Sequence, residues 1–203
     1  MRGFNGRNVA KGESPLAGKL EQRIISPAFT IVDDPHQPYC QNAAEIDHDG
    51  IPTRKQTLVR DGVLQRFLYD LDSAGLAGAE PTGNNGCSPY HAVVSPGPRT
   101  SAELLASLED GLYLTENLIG FGQSNILNGD FSCNVGVGYR VRNGEIVGRV
   151  KDTMLSGNLC DIMNGKVELS SDTHYDNGDP RYHGVYPHAV VEGVTVSAKA
   201  GDA

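Results

Sequence analysis

Residues 57–69 read TLVRDGVLQRFLY, in which two runs of alternating apolar and polar residues flank Asp61-Gly62. Alternation with a period of two is typical of a β-strand with one buried face. The Asp-Gly pair tolerates the positive φ angles that a two-residue type I′ turn requires. The stretch therefore predicts a β-hairpin. Residues 139–147 (YRVRNGEIV), with Asn143-Gly144 at their centre, predict a second hairpin for the same reason.

Further strand signals lie towards both ends of the sequence. Ile24-Ile25 and residues 29–32 (FTIV) precede the turn signal at 33–35 (DDP), and residues 189–191 and 194–196 flank Glu192-Gly193. The 25 glycines and 11 prolines indicate a chain that turns often. A parallel sheet would need strands that alternate with long helices, and the sequence shows no such alternation. We therefore predict an α+β fold, β-rich, with curved and barrel-like antiparallel sheets and a few packed helices.

The strongest helix signal covers about residues 102–111. Thr100 and Glu103 have the spacing of a capping box, in which each side chain binds a free backbone N–H of the first turn. Leucines recur at every fourth residue and predict a buried helix face: Leu104, Leu108 and Leu112. Shorter helices are predicted at 71–77 and at 158–165.

Length and hydropathy limit the possible domain organisation and the location of the protein in the cell. A chain of 203 residues is long enough for one domain with its own core. We predict a polar N-terminal arm at 1–13 and a single domain at 14–203. No run of 18 apolar residues indicates a membrane span, and no apolar segment near Met1 indicates a secretory signal. The expected location is the cytoplasm, without a membrane partner.

Charge and cysteine spacing exclude further classes of protein. The net charge of −8 and the scattered basic residues argue against a nucleic-acid partner, since binding to phosphates needs clustered Lys and Arg. The cysteines show no CxxC pair, so neither a zinc ribbon nor a small disulfide framework is predicted: Cys40, Cys87, Cys133 and Cys160. Buried free thiols are expected.

Two polar stretches are candidates for metal binding. Residues 172–179 (DTHYDNGD) lack the glycine and the glutamate at the positions of a calcium loop. With the histidines that follow, the stretch offers an alternative zinc site at His174, His183 and His188, although a solvated polar loop is the favoured interpretation. Residues 47–50 (DHDG) are interpreted as an Asx-type turn. No HExxH, GxSxG or P-loop motif occurs. From the residues alone, no catalytic residue is assigned and no substrate contact is known.

A resemblance to a known family rests on short segments that occur in the family's order. They are 14–20 (SPLAGKL), 30–35 (TIVDDP), 49–53 (DGIPT), 59–64 (VRDGVL), 81–84 (PTGN), 115–120 (TENLIG), 128–132 (NGDFS), 141–146 (VRNGEI) and 155–159 (LSGNL). Together these segments resemble the C-terminal domain of the TldD/PmbA (TldE) peptidase family, formerly called modulators of DNA gyrase. Residues 115–120 and 156–159 resemble the PmbA/TldE branch.

The resemblance implies where the family's zinc is held. The TldD-type subunit carries a zinc helix of the form HExxxH and a downstream Cys ligand. The present sequence starts after the segment that would match the helix, and residues 170–183 contain no Cys. No metal ligand is therefore carried over, and zinc is expected only in a TldD-type partner. Whether the sequence is a fragment or a short paralogue stays open.

Three hypotheses about function follow. The leading one is a metal-free partner subunit, inactive alone, of a TldD/TldE-type zinc peptidase that degrades unfolded or small peptides. Its dimer would form with a TldD-type subunit or with a second copy, and peptides would bind by strand addition. The second hypothesis is a self-contained metal-dependent hydrolase that uses His174, His183 and His188. The third is an inactive truncated paralogue.

Overall fold

A computed structural model describes residues 2–38, 42–116, 118–120, 129–176 and 184–198, the side chain of Arg2 excepted. The chain divides into two compact units. The first unit comprises Met1–Pro96 and Thr173–Pro187, and the second comprises Gly97–Asp172 and His188–Ala203. The expected single domain at 14–203 and arm at 1–13 stay a prediction. No helix in the described ranges is long and apolar enough to cross a membrane.

The described residues form thirteen strands and four helices. The helices are α1 (Gly6–Ala10), α2 (Leu71–Ala77), α3 (Ser101–Ala106) and α4 (Leu159–Asn164), with 3-10 turns at Arg2–Phe4 and Asn85–Cys87. The strands are β1 (Ile31–Asp33), β2 (Gln56–Arg60), β3 (Val63–Leu64), β4 (Ala92–Val94), β5 (Asp110–Leu114), β6 (Leu118–Ile119), β7 (Asp130–Val135), β8 (Gly138–Arg142), β9 (Glu145–Arg149), β10 (Thr153–Asn158), β11 (Val167–Asp176), β12 (Gly184–Val191) and β13 (Thr195–Ala198). Their sheet orders are β11-β12-β4-β1-β2-β3, β13-β10-β7-β6 and β5-β8-β9. The predicted β-rich α+β class is confirmed.

The first unit is built on the hairpin of β2 and β3. Asp61 and Gly62 have φ angles of 48° and 79°, which confirms the predicted type I′ turn. Strand β1 pairs antiparallel with both β2 and β4, whereas β12 pairs parallel with β4. The parallel pair departs from the antiparallel arrangement that the sequence predicts. The core of this unit consists of Phe4, Leu58, Val59, Leu64, Phe67, Leu68 and Cys87.

The second unit contains the hairpin of β8 and β9 in one sheet and the pairs of β10 with β7 and β13 in another. Asn143 and Gly144 have φ angles of 48° and 80°, so the second predicted hairpin is confirmed as well. Val141 and Leu155 are buried in their sheets. Strand β9 is exposed along its whole length.

The capping box of α3 forms as predicted, but the helix is shorter than expected. The Thr100 hydroxyl accepts from the Glu103 N–H at 3.2 Å, and the Glu103 carboxylate accepts from the Thr100 N–H at 2.7 Å. The helix ends at Ala106, and the predicted extension to residue 111 is wrong because β5 begins at Asp110 and pairs with β8. Backbone pairing with a distant strand outweighs the helical spacing of the leucines.

The three leucines of the predicted helix face consequently differ in environment. Leu104 lies on α3 and is buried, as predicted. Leu108 follows the helix, and its carbonyl accepts a hydrogen bond from the Gly144 N–H at 2.7 Å. Leu112 lies in β5 opposite Arg140. Both Leu108 and Leu112 are half-buried, so the prediction that they are core residues is wrong.

Four further predictions are tested by the structure. Helices α2 and α4 form as predicted, and the Asn158 side chain caps α4. The predicted strand at Ile24-Ile25 is wrong, because both N–H groups donate to the Gly62 carbonyl instead of joining a sheet ladder. The predicted second hairpin strand at 63–69 ends at Leu64.

The cysteines differ from the expectation at one position. Cys87 and Cys133 are buried free thiols, as predicted, whereas Cys160 is exposed. Cys40 lies outside the described residues.

Candidate functional site

A buried carboxylate lies at the end of β1 in the first unit. Asp33 is fully buried, and its Oδ1 accepts hydrogen bonds from the backbone N–H groups of Tyr90 and His91 at 2.8 and 3.0 Å. Its Oδ2 accepts from Asn84 Nδ2 at 2.7 Å. Burial raises the pKa of Asp33 above its ordinary value, and the hydrogen bonds from His91, Asn84 and Tyr90 oppose this rise.

From Asp33 a line of hydrogen bonds runs to the surface. Asn84 Oδ1 accepts from Gln56 Nε2 at 2.8 Å, and Gln56 Oε1 accepts from Arg66 Nη1 at 3.0 Å. Because a carboxylate only accepts and a guanidinium only donates, the two ends fix the orientation of both amides between them. Asn84 and Gln56 are buried, whereas Arg66 is exposed. We call Asp33, Asn84, Gln56 and Arg66 the polar network.

The polar network fixes the loop at 81–84 (PTGN). Gln56 Nε2 also donates to the Thr82 carbonyl at 2.9 Å, and the Thr82 hydroxyl bonds the backbone N–H and carbonyl of Tyr69. Gly83 has a φ of 74°, and a Cβ at this position would lie 2.5 Å from the Pro52 carbonyl oxygen. A glycine is therefore required, both for the backbone conformation and for the close approach of residue 52.

The arrangement orients backbone and carries no exposed reactive group at Asp33. Three N–H donors occupy the carboxylate, and Asn84 uses its oxygen and its nitrogen within the network, the latter also donating to the Ser88 carbonyl. A general base needs a lone pair within reach of a substrate proton. The buried Asp33 instead holds the loops at 81–84 and 88–91 against β1.

The loop at 47–50 forms the Asx-type turn that the sequence predicts. Asp47 Oδ1 accepts from the N–H groups of Asp49 and Ile51 at 2.9 and 2.8 Å. Asp47 Oδ2 is buried and has no hydrogen-bond partner among the residues that the structure describes. Burial raises the pKa of Tyr90, a hydrogen bond with the Asn85 backbone opposes this rise, and the Asp47 charge adds to it.

Two of the three histidines of the alternative zinc site lie on described strands, His174 on β11 and His188 on β12. His174 is exposed on β11 in the first unit. In the second unit, His188 Nε2 lies 3.8 Å from Asp172 Oδ2. Asp172 accepts from the Ser101 N–H at 2.6 Å, and the hydrogen bonds from Ser101 lower the pKa of Asp172. His183 lies outside the described residues, so the three-histidine site stays a prediction.

The described donors do not fit a zinc ion. Across ranges 2–38, 42–116, 118–120, 129–176 and 184–198, no three His, Cys, Asp or Glu side chains are grouped so as to hold a metal. A structural or catalytic zinc takes at least three protein ligands. No metal-dependent step is therefore assigned to the described part of this chain.

The sequence predicts a strand and a turn at 29–35 and a family-like segment at 81–84, but it does not predict the polar network. The residues of the polar network are far apart in the sequence. Asn84 lies 51 residues after Asp33 and 28 residues after Gln56. One sequence signal pointed to the network: a polar residue stands at one end of each of two apolar strands. Asp33 follows Ile31-Val32, and Gln56 comes shortly before Leu58-Val59. Such a residue needs a buried partner.

Comparisons with known proteins give the family. Residues 1–198 match the family model described as the PmbA/TldA metallopeptidase C-terminal domain. A Haemophilus influenzae protein named a metalloprotease TldD homolog is 30% identical, over 84% of this chain and 36% of its own length.

Two crystal structures match the fold of nearly the whole chain. A Thermotoga maritima protein described as a modulator of DNA gyrase has a TM-score of 0.86 and 34% identity, over 96% of this chain and 45% of its own. TldE from Thermococcus kodakarensis has a TM-score of 0.84 and 25% identity, over 97% of this chain and 46% of its own. The chain thus spans less than half the length of these relatives. It belongs to the PmbA/TldD metallopeptidase family, and its residues 1–198 correspond to the family's C-terminal domain.

Proposed function

We propose that the chain serves as a non-catalytic partner domain in a TldD/TldE-type zinc peptidase that degrades unfolded or small peptides. The observation that carries this proposal is the likeness to TldE from Thermococcus kodakarensis over 97% of the chain, with a TM-score of 0.84. The assignment to the TldE branch is itself part of the proposal, because the Haemophilus influenzae relative bears the name of the other branch.

The donor set of the chain supports this division of labour. The described residues offer no group of three metal-binding side chains. In the proposed complex, the TldD-type subunit supplies the zinc, which would polarise the scissile carbonyl and activate water. The present chain would position the peptide and support the zinc-bearing subunit.

An exposed strand supports a role in holding peptides. Strand β11 lies at the edge of the six-stranded sheet, and its residues 173–175, which follow the Ser171 N–H that donates to the Arg99 carbonyl, are exposed. Edge strands present backbone N–H and C=O groups to which an extended peptide adds by main-chain hydrogen bonds. Such binding depends little on side chains, which suits substrates of varied sequence.

Reconstitution tests the proposed function. The purified chain, a TldD-type subunit with an HExxxH motif, and their mixture are each incubated with casein, with and without a chelator. We expect chelator-sensitive cleavage in the mixture and none by the chain alone. A zinc-stripped TldD-type subunit serves as the control. Equal cleavage by the TldD-type subunit with and without the chain would contradict the partner role.

A further inference from the structure

Two arginines of the first unit differ from the other bonded cations of the chain. Arg54 Nη2 donates to the Pro81 carbonyl at 3.3 Å, and Arg66 Nη1 donates to Gln56 Oε1 at 3.0 Å. Both acceptors are neutral. The other Lys and Arg side chains that form hydrogen bonds or ion pairs in the described ranges each contact a carboxylate: Arg7, Lys55, Arg99, Arg140 and Lys166.

The two arginines converge on one loop. Arg54 bonds the carbonyl of Pro81, and Gln56, which holds Arg66, bonds the carbonyl of Thr82. These are consecutive residues of the loop at 81–84. Lys55, between Arg54 and Gln56 in the sequence, pairs instead with Asp34 at 2.9 Å. Arg54 thus contacts this segment directly, and Arg66 contacts it through the Gln56 side chain.

Neither guanidinium forms an ion pair with a carboxylate among the residues that the structure describes. Arg66 is anchored through Gln56 and Asn84 to the buried Asp33, so its orientation is fixed before any ligand arrives. Each guanidinium carries about five N–H donors, of which the contacts described occupy one. Both side chains are exposed, on a chain whose net charge is −8. A preorganised guanidinium binds planar oxyanions in a bidentate manner.

We propose that Arg54 and Arg66, positioned by the loop at 81–84, form a binding site for a carboxylate group of a peptide. That the carboxylate belongs to a peptide rests on the proposed function. Two sources share this chemistry, the free C-terminus of a peptide and an acidic side chain within it. A C-terminal carboxylate would fix the end of a substrate, whereas an acidic side chain would select for its sequence.

Calorimetric titration of the full chain with three short peptides tests the site. The probes are an unstructured peptide of glycine, serine and alanine with a free C-terminus, its C-terminal amide, and the amide with one central glutamate. We expect at least one carboxylate-bearing peptide to bind about tenfold or more tightly than the plain amide, and less tightly at high salt. The peptide that binds identifies the source of the carboxylate.

Variants of the chain locate the binding. Arg54→Gln and Arg66→Gln each remove a charge but keep an N–H donor for Pro81 and Gln56, so the loop should stay folded, which circular dichroism checks. We expect about a tenfold loss of affinity in each, and a smaller loss in Arg66→Lys. Arg60→Gln, at an exposed arginine on β2, is the matched control and should bind as the unchanged chain does.

Three results would overturn the proposal. They are no binding of any probe, equal binding of the carboxylate and amide peptides, and a loss of affinity in Arg60→Gln equal to that in Arg54→Gln and Arg66→Gln. The experiment uses the chain without a TldD-type subunit. Failure of the carboxylate site is therefore distinct from failure of the partner role, which reconstituted cleavage measures.

Discussion

The family-like segments of the two units differ in burial. In the first unit, segments 30–35 and 81–84 supply Asp33 and Asn84, whose side chains are buried and bond each other. In the second unit, segment 128–132 supplies Gly129 with a φ of 82° and Asp130, which accepts from Asn158 Nδ2 at 2.9 Å in an exposed position. Family-like segments thus form a buried polar network in the first unit, and a turn and an exposed hydrogen bond in the second.

The difference leads to an expectation about stability. Buried polar groups lose the most when a partner is removed, because the remaining group stays desolvated. Exposed turns and strands lose little, because water replaces the missing contact. Substitutions in the first unit should therefore cost more free energy of unfolding than matched substitutions in the second.

The largest effect is expected in the apolar core of the first unit. Leu58 on β2 is fully buried in the core cluster. Leu58→Ala should lower the free energy of unfolding by about 2–5 kcal/mol, from lost burial and the cavity left behind. Urea unfolding measures the loss. In the second unit, the half-buried Leu108 provides the comparison, and Leu108→Ala should cost clearly less than Leu58→Ala.

The polar network should show the next largest effect. Asn84→Ala leaves Asp33 Oδ2 without its Asn84 donor, which should cost about 1–3 kcal/mol for each unsatisfied group. The matched control is Asn134→Ala, at an exposed asparagine of β7, for which we expect a change within about 0.5 kcal/mol. Equal losses in the two variants would remove the contrast between the units.

The charge state of Asp33 should make the free energy of unfolding depend on pH. Because its folded pKa is raised by burial, its contribution to stability is fully present below the unfolded pKa and is lost as pH rises through the folded pKa. Asp33→Asn cannot titrate, so the stability advantage of the unchanged chain over this variant should narrow as pH rises through the acid range. Urea unfolding at several pH values measures the advantage, and a widening gap would contradict the raised pKa.

The helix cap in the second unit should have a moderate effect. Thr100→Ala removes the side-chain acceptor for the Glu103 N–H and should cost about 0.5–2 kcal/mol. Thr195→Ala, at an exposed position on β13, is the control. If the two variants unfold at the same urea concentration, the capping box contributes nothing measurable.

The smallest effect is expected on β9. Ile146 is about half exposed on this edge strand, with a relative exposure of 49%. Ile146→Thr keeps a β-branched side chain and should change the free energy of unfolding by no more than about 0.5 kcal/mol. A loss comparable to that of Leu58→Ala would mean that β9 is buried in solution, against a partner or a second copy.

Local chemistry made part of this fold predictable. Asp61-Gly62 and Asn143-Gly144 specify their turns through φ angles that few other residues adopt, and Thr100 with Glu103 specifies a helix start. The end of α3 was not predictable, because β5 and β8 pair across about thirty residues. The polar network depends on such distant partners too, so the sequence showed its members without showing that they meet.

Zinc analysis of the purified chain, alone and mixed with a TldD-type subunit, separates the partner role from a self-contained enzyme. We expect less than roughly 0.2 zinc ions per chain alone, because a zinc site needs about three protein ligands, and casein cleavage only in the mixture. One tightly bound zinc per chain, lost in His174→Ala and accompanied by chelator-sensitive cleavage by the chain alone, would contradict the partner role.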